Sequence, residues 1–357
     1  MGRHARSKNA MSGGHFAGQG PDPYSRASAG DYHDRLAKKR RRGFALRTLL
    51  IALVVLLAGS GVAVAAWVGN IQSRMNNSEV VTTELREALT ERDAPNDPYY
   101  VLLLGTDGRP GETQYRSDTI ILARIDPQQK VATLLSIPRD TMVTWKGSTM
   151  KINGVHAYDG AAGMVQIVSD LCHVEISHYA EVNFDGLSGI TDALGGVTVD
   201  VDMDIKDTEH FDDVTELQKG EQVLNGAQAL FYCRCRYFAD GDYTRMRHQR
   251  TFVKSLIAQV LSTTDPTKLV GVVNSCADMV ITDMSVTEIA SLANEMRGMN
   301  TEDGIYTAFV PSVPQMVDGV SYVVADWDQL DEMMKVIDAG QDPSSFNEGG
   351  YGNSSAE

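Results

Sequence analysis

The sequence predicts an α/β layered fold around a mostly buried sheet, carried behind one N-terminal transmembrane helix. Three observations lead there. The apolar runs Tyr99–Leu104, Thr119–Ile125 and Lys130–Ile137 stand close together, and runs of this length bury as strands in a sheet. Further along, strand-like and helix-like segments alternate, which is the pattern of layered α/β proteins. Ahead of both, Thr48 to Val68 holds no charged residue across 21 positions.

Residues 1–43 show no periodic segment and are rich in Gly, Ser, Ala, Arg and His, a disordered-tail composition. Through Arg47 there are eleven Lys/Arg against three Asp/Glu, a net of +8, densest at Lys38–Arg42. At about 1.5 Å per residue the uncharged stretch spans roughly 30 Å, the depth of a bilayer core. Basic residues before it and none just after predict a cytoplasmic N-terminus, with everything from about Gly69 outside. Ala63-Val64-Ala65 has the look of a cleavage site, but more than forty preceding residues and a long apolar core argue for an uncleaved anchor. A basic tail beside a membrane is accounted for by the lipid surface, so no nucleic-acid partner is expected. The chain thus divides into a tail (1–47), a transmembrane helix (48–68), a polar stalk (69–97), one domain (98–340) and a polar disordered tail (341–357). Leu85, Ala88 and Leu89 hint at a short helix in the stalk.

Within the domain, the three opening strands are followed by a turn at Thr149–Gly154. Gly160–Leu171 reads as a helix, with Ala161, Met164, Val165, Val168 and Leu171 at helical spacing. Tyr179–Phe184 alternates as a strand, Asp185–Leu194 is a helix ended by Gly195-Gly196, and Val197–Val201 is a strand. Residues 202–220 read as an acidic loop. A helix starts at Asn225, with Gln228 three positions on as its capping-box partner. Tyr232–Arg236 is expected to be extended, so that alternation sets Arg234 and Arg236 on one face and Cys233 and Cys235 on the other. Asp240–Tyr243 opens a long helix over Thr244–Leu261. It carries Arg245, His248 and Gln249 on one side and an apolar stripe of Phe252, Leu256, Ile257 and Val260. A helix capped by Ser285 and Glu288, a strand at Ile305–Val310 and a helix at Asp326–Ala339 complete the domain.

Charge then points to a site. Asp107 and Arg109 follow the first strand, Arg116 and Asp118 precede the second, and Arg139 and Asp140 follow the third. If these strands pair in order, all six residues meet at one sheet edge, around a loop punctuated by Gly105, Gly108 and Gly111. Residues 48–357 hold 21 Lys/Arg against 44 Asp/Glu, a net of −23, yet nine of their thirteen arginines fall within Arg109–Arg139 and Arg234–Arg250. A single Arg–Asp pair at a strand end is commonly a solvated ion pair worth little. Two concentrated sets in an acidic background are what a pyrophosphate site needs: guanidinium forks for the anion and carboxylates for a divalent cation.

Other chemistries are absent. The histidines form no H-x-x-x-H pair and the cysteines no C-x-x-C, so zinc is not expected. There is no G-x-S-x-G elbow, P-loop or G-x-G-x-x-G motif. A Cys233–Cys235 bridge has poor geometry in an extended segment. A pairing that includes Cys172 and Cys276 stays open beside the alternative of buried free thiols.

The blocks LLLGTDGR, YRSDTIIL, LLSIPRDT, KINGVHAY, ALGGVTVDV, LNGAQALFYCRCR and GDYTRMRHQ, in this order behind one anchor, resemble the LytR–CpsA–Psr family over about Tyr99–Leu261. The resemblance implies a central mixed sheet flanked by helices (α/β/α), with a lipid tail in a tunnel through the core. It implies an envelope phosphotransferase that moves a glycopolymer, such as a teichoic acid or capsule, from a polyprenyl-pyrophosphate carrier to peptidoglycan. It also implies Mg2+ at Asp107 and Asp118, and pyrophosphate-binding roles for Arg116, Arg139, Arg234, Arg236 and Arg245, with Gln249 beside them. Arg109 is near enough in sequence to contribute, and Asp242 or Asp240 could take the proton of the attacking hydroxyl. A polyprenyl-pyrophosphate phosphatase and a membrane-bound regulator are the alternatives. The chain departs from the family pattern at His248 and Arg250, where Arg and Gln respectively are commoner.

Overall fold

The apolar run beginning at Tyr99 becomes β1 (Tyr99–Thr106), most of whose residues are buried. It lies inside a six-stranded sheet of order β11-β6-β1-β2-β3-β12. β2 (Ser117–Asp126) and β3 (Val131–Ser136) follow as antiparallel neighbours. β6 (Ile176–Asn183) and β12 (Ile305–Phe309) add in parallel, and β11 (Val280–Thr282) closes one edge antiparallel. The sheet is therefore mixed, and the ends of β1, β3, β6 and β12 share one edge with the start of β2. A computed structural model describes residues 62–347 of the chain except 78, 93, 95, 108–114, 207–215, 237 and 241. The chain divides into two compact units, Met1–Ala66 and Trp67–Glu357, and the sheet belongs to the second. Most of the expected transmembrane span lies outside the described residues, and among those described no helix is long and apolar enough to cross a membrane.

Alternation along the strands gives the sheet two apolar faces. On one, Leu102, Leu104, Leu122 and Leu135 pack under α3 (Ile152–Cys172) and α9 (Trp327–Asp338). α3 begins before its expected start because Ile152 and Val155, both fully buried, are already drawn onto this face. Gly160 then interrupts it at φ 58°, a left-handed conformation that glycine tolerates. The turn expected at Thr149–Gly154 is instead β5 (Ser148–Lys151), paired with β4 (Met142–Trp145), followed by the first turn of α3.

On the other face, Tyr99, Val101, Ile121, Ala123 and Leu134 pack under α6 (Asp242–Ser262) and α8 (Val286–Glu295). A third cluster joins α4 (Phe184–Ala193) and α5 (Gly226–Arg234) to the antiparallel pair β7 (Val197–Val201) and β10 (Gly220–Leu224). The segment expected as an acidic loop thus contains strands: β10 begins within it, and β8 (Ile205–Lys206) pairs with β9 (Glu216–Leu217). α6 is wedged between two cores, and the expected single stripe splits accordingly. Phe252, Leu256 and Val260 face the third cluster, while Val253, Ile257 and Leu261 face the sheet.

Two segments expected to stand apart are packed into the domain. In the stalk, Ile71 and Met75 of α1 (residues 62–75) pack on Ala277 of α7 (Pro266–Met279). Leu85 of α2 (Thr83–Ala88) is fully buried in the main core. In the C-terminal tail, a 3-10 turn at Ser344–Asn347 places the Asn347 side chain on the Phe309 backbone, one 2.9 Å hydrogen bond to each of its N–H and carbonyl. The pair β13 (Ser312–Val317) and β14 (Val320–Ala325), which the sequence pattern did not reveal, leads into α9. All four cysteines are free thiols. Cys172 lies in the main core and Cys276 beside the third cluster.

Candidate active site

The shared sheet edge holds the charged residues that the strand order brings together. Gly105 lets the strand ends close: a Cβ there would stand 2.8 Å from Thr119 Cβ, nearer than packed carbons come. Asp118, the second residue of β2, is the hub. Its Oδ1 accepts from Arg139 Nη1 at 2.5 Å, and its Oδ2 accepts from Arg236 Nη2 at 3.1 Å. Its backbone carbonyl accepts from Arg245 Nη2 at 3.1 Å. That same nitrogen donates to Asp242 Oδ2 at 2.6 Å. Asp242 Oδ2 also lies 3.6 Å from Arg139 Nε, an ion-pair distance too long for a hydrogen bond. Arginines following β3, following α5 and on α6 therefore converge on one aspartate of β2, two on its carboxylate and one on its backbone carbonyl.

The electrostatics leave positive charge to spare. Burial opposes the charge on Asp118, yet Arg139, Arg245 and Arg236 outweigh it and hold the carboxyl below its ordinary range. Burial also opposes the charge on Arg139, but Asp242, Asp118 and Asp140 keep its pKa above the usual value. Arg245, only 2% exposed, goes the other way. Burial lowers its pKa, and Arg236 and Arg139 push in the same direction against Asp242. Asp140 is paired with Lys151 at 3.1 Å, which leaves three guanidiniums against Asp118 and Asp242 and makes a site that gains by taking an anion.

Not every predicted residue joins this network. Arg116 is exposed and has no ion pair among the described residues, and Asp107 is exposed directly after β1. Arg109 lies outside the described residues. The segment Tyr232–Arg236 is not extended: α5 runs through Arg234, with Cys235 as its C-terminal cap. The Asn225–Gln228 capping box starts a helix, and packing of Phe231, Tyr232 and Cys233 carries it on past any strand propensity. Arg234 closes the last turn half-buried, and Arg236 reaches Asp118 from beyond the helix end. Both cysteines still turn to the packed side.

Gln249 is buried and donates to the Cys233 carbonyl at 3.1 Å, fixing the end of α5 from which Arg234 and Arg236 extend. His248 does not share the side of Arg245. It stacks on Tyr232 with ring centroids 4.3 Å apart and meets Asp202 at 2.9 Å, with Arg247 bridging to the same carboxylate. The third apolar cluster pulls that helix face away from the sheet edge. Asp240 is occupied at the start of α6, accepting from the Thr244 hydroxyl at 2.9 Å, whereas Asp242 faces the arginines.

Asp107 and Asp118 are carboxylates of the kind magnesium takes, although among the described residues no group of three or more His, Cys, Asp or Glu gathers around one point. Asp107 follows Thr106, and Thr106 pairs with Ser117, the neighbour of Asp118. Each Asp118 oxygen takes one guanidinium and keeps a second acceptor position. Magnesium needs only one or two carboxylates, completing its shell with phosphate oxygens and water.

Sequence reasoning missed a buried polar group near the ends of β6 and β1. Glu181 of β6, 4% exposed, accepts from the Thr106 hydroxyl at 3.1 Å and the Tyr179 hydroxyl at 2.7 Å. His156 Nε2 lies 3.5 Å from it, and His156 Nδ1 meets the Tyr115 carbonyl at 3.0 Å. Burial opposes the charge on Glu181, but His156 and the Tyr179 and Tyr115 hydroxyls outweigh it and keep its pKa low. This group ties the backbone entering Asp118 to two other elements. The only signal in the sequence was one acidic residue inside an otherwise alternating strand.

The comparisons with known proteins converge. An Enterococcus faecalis protein named polyisoprenyl-teichoic acid–peptidoglycan teichoic acid transferase TagU is 32% identical over 250 residues, covering 68% of this chain and 79% of its own. The crystal structure of TagV from B. subtilis superposes with a TM-score of 0.61 at 28% identity, covering 69% of this chain and 97% of that one. A structure described as TagT bound to LIIa-WTA matches with a TM-score of 0.59 at 26% identity, over 70% and 93% of the two chains. The LytR_cpsA_psr family model matches residues 65–338. With that match spanning most of its length, the chain belongs to the LytR_cpsA_psr family.

Proposed function

We propose that this protein transfers a glycopolymer from a polyprenyl-diphosphate carrier to peptidoglycan at the outer face of the membrane. The observation that carries this reading is Asp118 held at once by Arg139, Arg236 and Arg245, a cationic cradle with charge to spare at the sheet edge. The naming of the E. faecalis relative as a teichoic acid transferase supports the same reaction class.

In this reading the diphosphate displaces Asp118 as the partner of the arginine forks, which match phosphate oxygens in pairs. A sugar hydroxyl of peptidoglycan attacks the phosphorus that bears the glycan. A new P–O bond forms while the bond to the bridging oxygen breaks. The electron pair stays on that oxygen, and polyprenyl phosphate leaves. Arg139 and Arg245 stabilise the charge that grows there. Asp242, already among the arginines, takes the hydroxyl proton. Exposed Arg116 meets the substrate at the rim, and Arg234 and Arg236 hold it from the α5 side. Asp107 and Asp118 would hold magnesium, which supplies charge neutralisation on the phosphate oxygens when bound.

The uncharged stretch Thr48–Val68 anchors the chain with its basic tail in the cytoplasm. The deciding experiment gives the full chain, in detergent, a lipid-linked glycopolymer and peptidoglycan fragments, and follows products by mass spectrometry. Polymer joined to peptidoglycan is the expected product. Polymer phosphate released to water despite the acceptor would make the protein a phosphatase. Absence of turnover with both substrates bound would favour a regulator.

A further inference from the structure

Among the described residues, one cation is buried without an anion. Along α6, Met246, Arg250, Val253, Ile257 and Leu261 recur at helical spacing and form one stripe. Val253, Ile257 and Leu261 pack on the sheet with Leu103, Ile125 and Leu292, and every one of these side chains is only half-buried. Between Met246 and this half-open apolar seam, the stripe is interrupted by Arg250, which is 6% exposed. Its Nε and Nη1 are buried with no hydrogen-bond partner among the described residues. Its Cζ lies 5.7 Å from the centre of the Phe309 ring, a weak compensation for a buried charge. Burial pushes its pKa down to about 9, and the charged neighbour acting on it is a second cation, Arg247. Ser136 is the register partner of Phe309, whose ring Arg250 approaches, and lies on the same sheet face as Leu134. Its hydroxyl is also buried and unpartnered. Donors without an acceptor, out of water, are costly to fold around. A ligand that supplies the acceptor removes that cost.

The position along the helix specifies the ligand. Arg245, which holds Asp118, lies five residues before Arg250, about 7.5 Å along the axis. Val253, Ile257 and Leu261 continue in the opposite direction. A molecule with an anionic head at Arg245 and an apolar tail along the seam passes its innermost charged group by Arg250. We propose that Arg250 and Ser136 form a buried phosphate subsite that takes the phosphate carrying the prenyl chain. This deepens the function proposed above and rests on it. The same subsite holds polyprenyl phosphate after transfer, so it also slows release of that product.

The test uses the full chain in detergent, with calorimetric binding of farnesyl diphosphate, farnesyl monophosphate and inorganic pyrophosphate beside thermal melts. Arg250→Met should melt no lower than wild type, because it deletes an unpaired buried charge. It should nonetheless bind both prenyl ligands at least tenfold more weakly. Arg250→Lys keeps the charge without the fork and should lose several-fold; it decides the matter if the Met variant does not fold. Ser136→Ala should lose about threefold. Wild-type affinity of the Met or Lys variant for the prenyl ligands overturns the subsite while leaving the Asp118 cluster standing. If wild type binds pyrophosphate but neither prenyl ligand, the lipid assignment falls and with it the functional reading. A pyrophosphate loss in Arg250→Met would then assign the subsite to a soluble phosphate. Wild type that binds none of the three sinks both proposals.

Discussion

Asp118 holds its charge because three guanidiniums outweigh its burial, and the pH dependence follows. Its folded pKa lies below its unfolded one, so the folded state binds fewer protons there. That stability is fully present above the ordinary carboxylate range, near about pH 4, and drains as pH falls through the lowered folded value. Melting temperature against pH should therefore fall on the acid side, and Asp118→Asn should flatten that limb. An unchanged limb in the Asn variant would show that the arginines do not hold the carboxylate. Arg236 tests the binding role, since it is exposed and contacts the hub through one nitrogen. Arg236→Lys keeps the charge and removes the fork, and should cost about 1–3 kcal/mol of prenyl-diphosphate affinity in a direct binding assay, with little change in melting. Asp107 is exposed, so Asp107→Ala should abolish magnesium-dependent turnover at unchanged stability. A drop in stability with magnesium dependence intact would instead give Asp107 a structural role.

At the scale of elements, α6 organises the site by serving two cores at once. One face anchors β7 and α5, the other covers the sheet, and the first turn carries Arg245. Gln249 links α6 to the last turn of α5 through the Cys233 carbonyl. Gln249→Ala would leave that buried carbonyl without its donor, at about 1–3 kcal/mol of stability. It should weaken ligand binding too, because Arg234 and Arg236 leave from the same helix end. Full stability in a denaturant titration would mean the bond is dispensable. The α5 end was also where sequence reasoning slipped. Alternation of Cys and Arg looked like a strand, but the capping box at Asn225 and the burial of Phe231 and Tyr232 made a helix. The arginines arrive at the site by a different route from the one their spacing suggested.

Across the whole molecule, the segment before the sheet is part of the fold. Leu85 is fully buried in the main core, and the Thr90 N–H donates to the Ile176 carbonyl at 2.9 Å. Leu85→Ala should cost about 2–5 kcal/mol in denaturant unfolding, and a chain beginning at Pro98 should fold poorly or not at all. A stable, cooperative chain from Pro98 would return this segment to the role of a stalk. For the anchor, protease added to intact spheroplasts should digest the domain and spare the basic tail; the reverse pattern would invert the orientation.

The sequence by itself determined the parts of this protein that depend on local pattern. Apolar runs and their polar ends predicted β1, β2 and β3 and the edge where Asp118 meets Arg139, because neighbouring strands in sequence pair readily in space. Capping boxes marked α5 and α8, and the two arginine windows pointed to one cluster built from distant parts, where Arg139, Arg236 and Arg245 meet Asp118. Tertiary structure decided what depends on which core a residue finds. It turned His248 toward Asp202 and away from Arg245, drew Leu85 and Asn347 into the domain, and split α6 between two clusters. It also buried Arg250 and Glu181 where a strand or helix pattern alone would place an apolar residue. The reason is physical: propensity and capping act over a few residues, whereas the burial that fixes a side chain's direction is shared among segments a hundred or more positions apart.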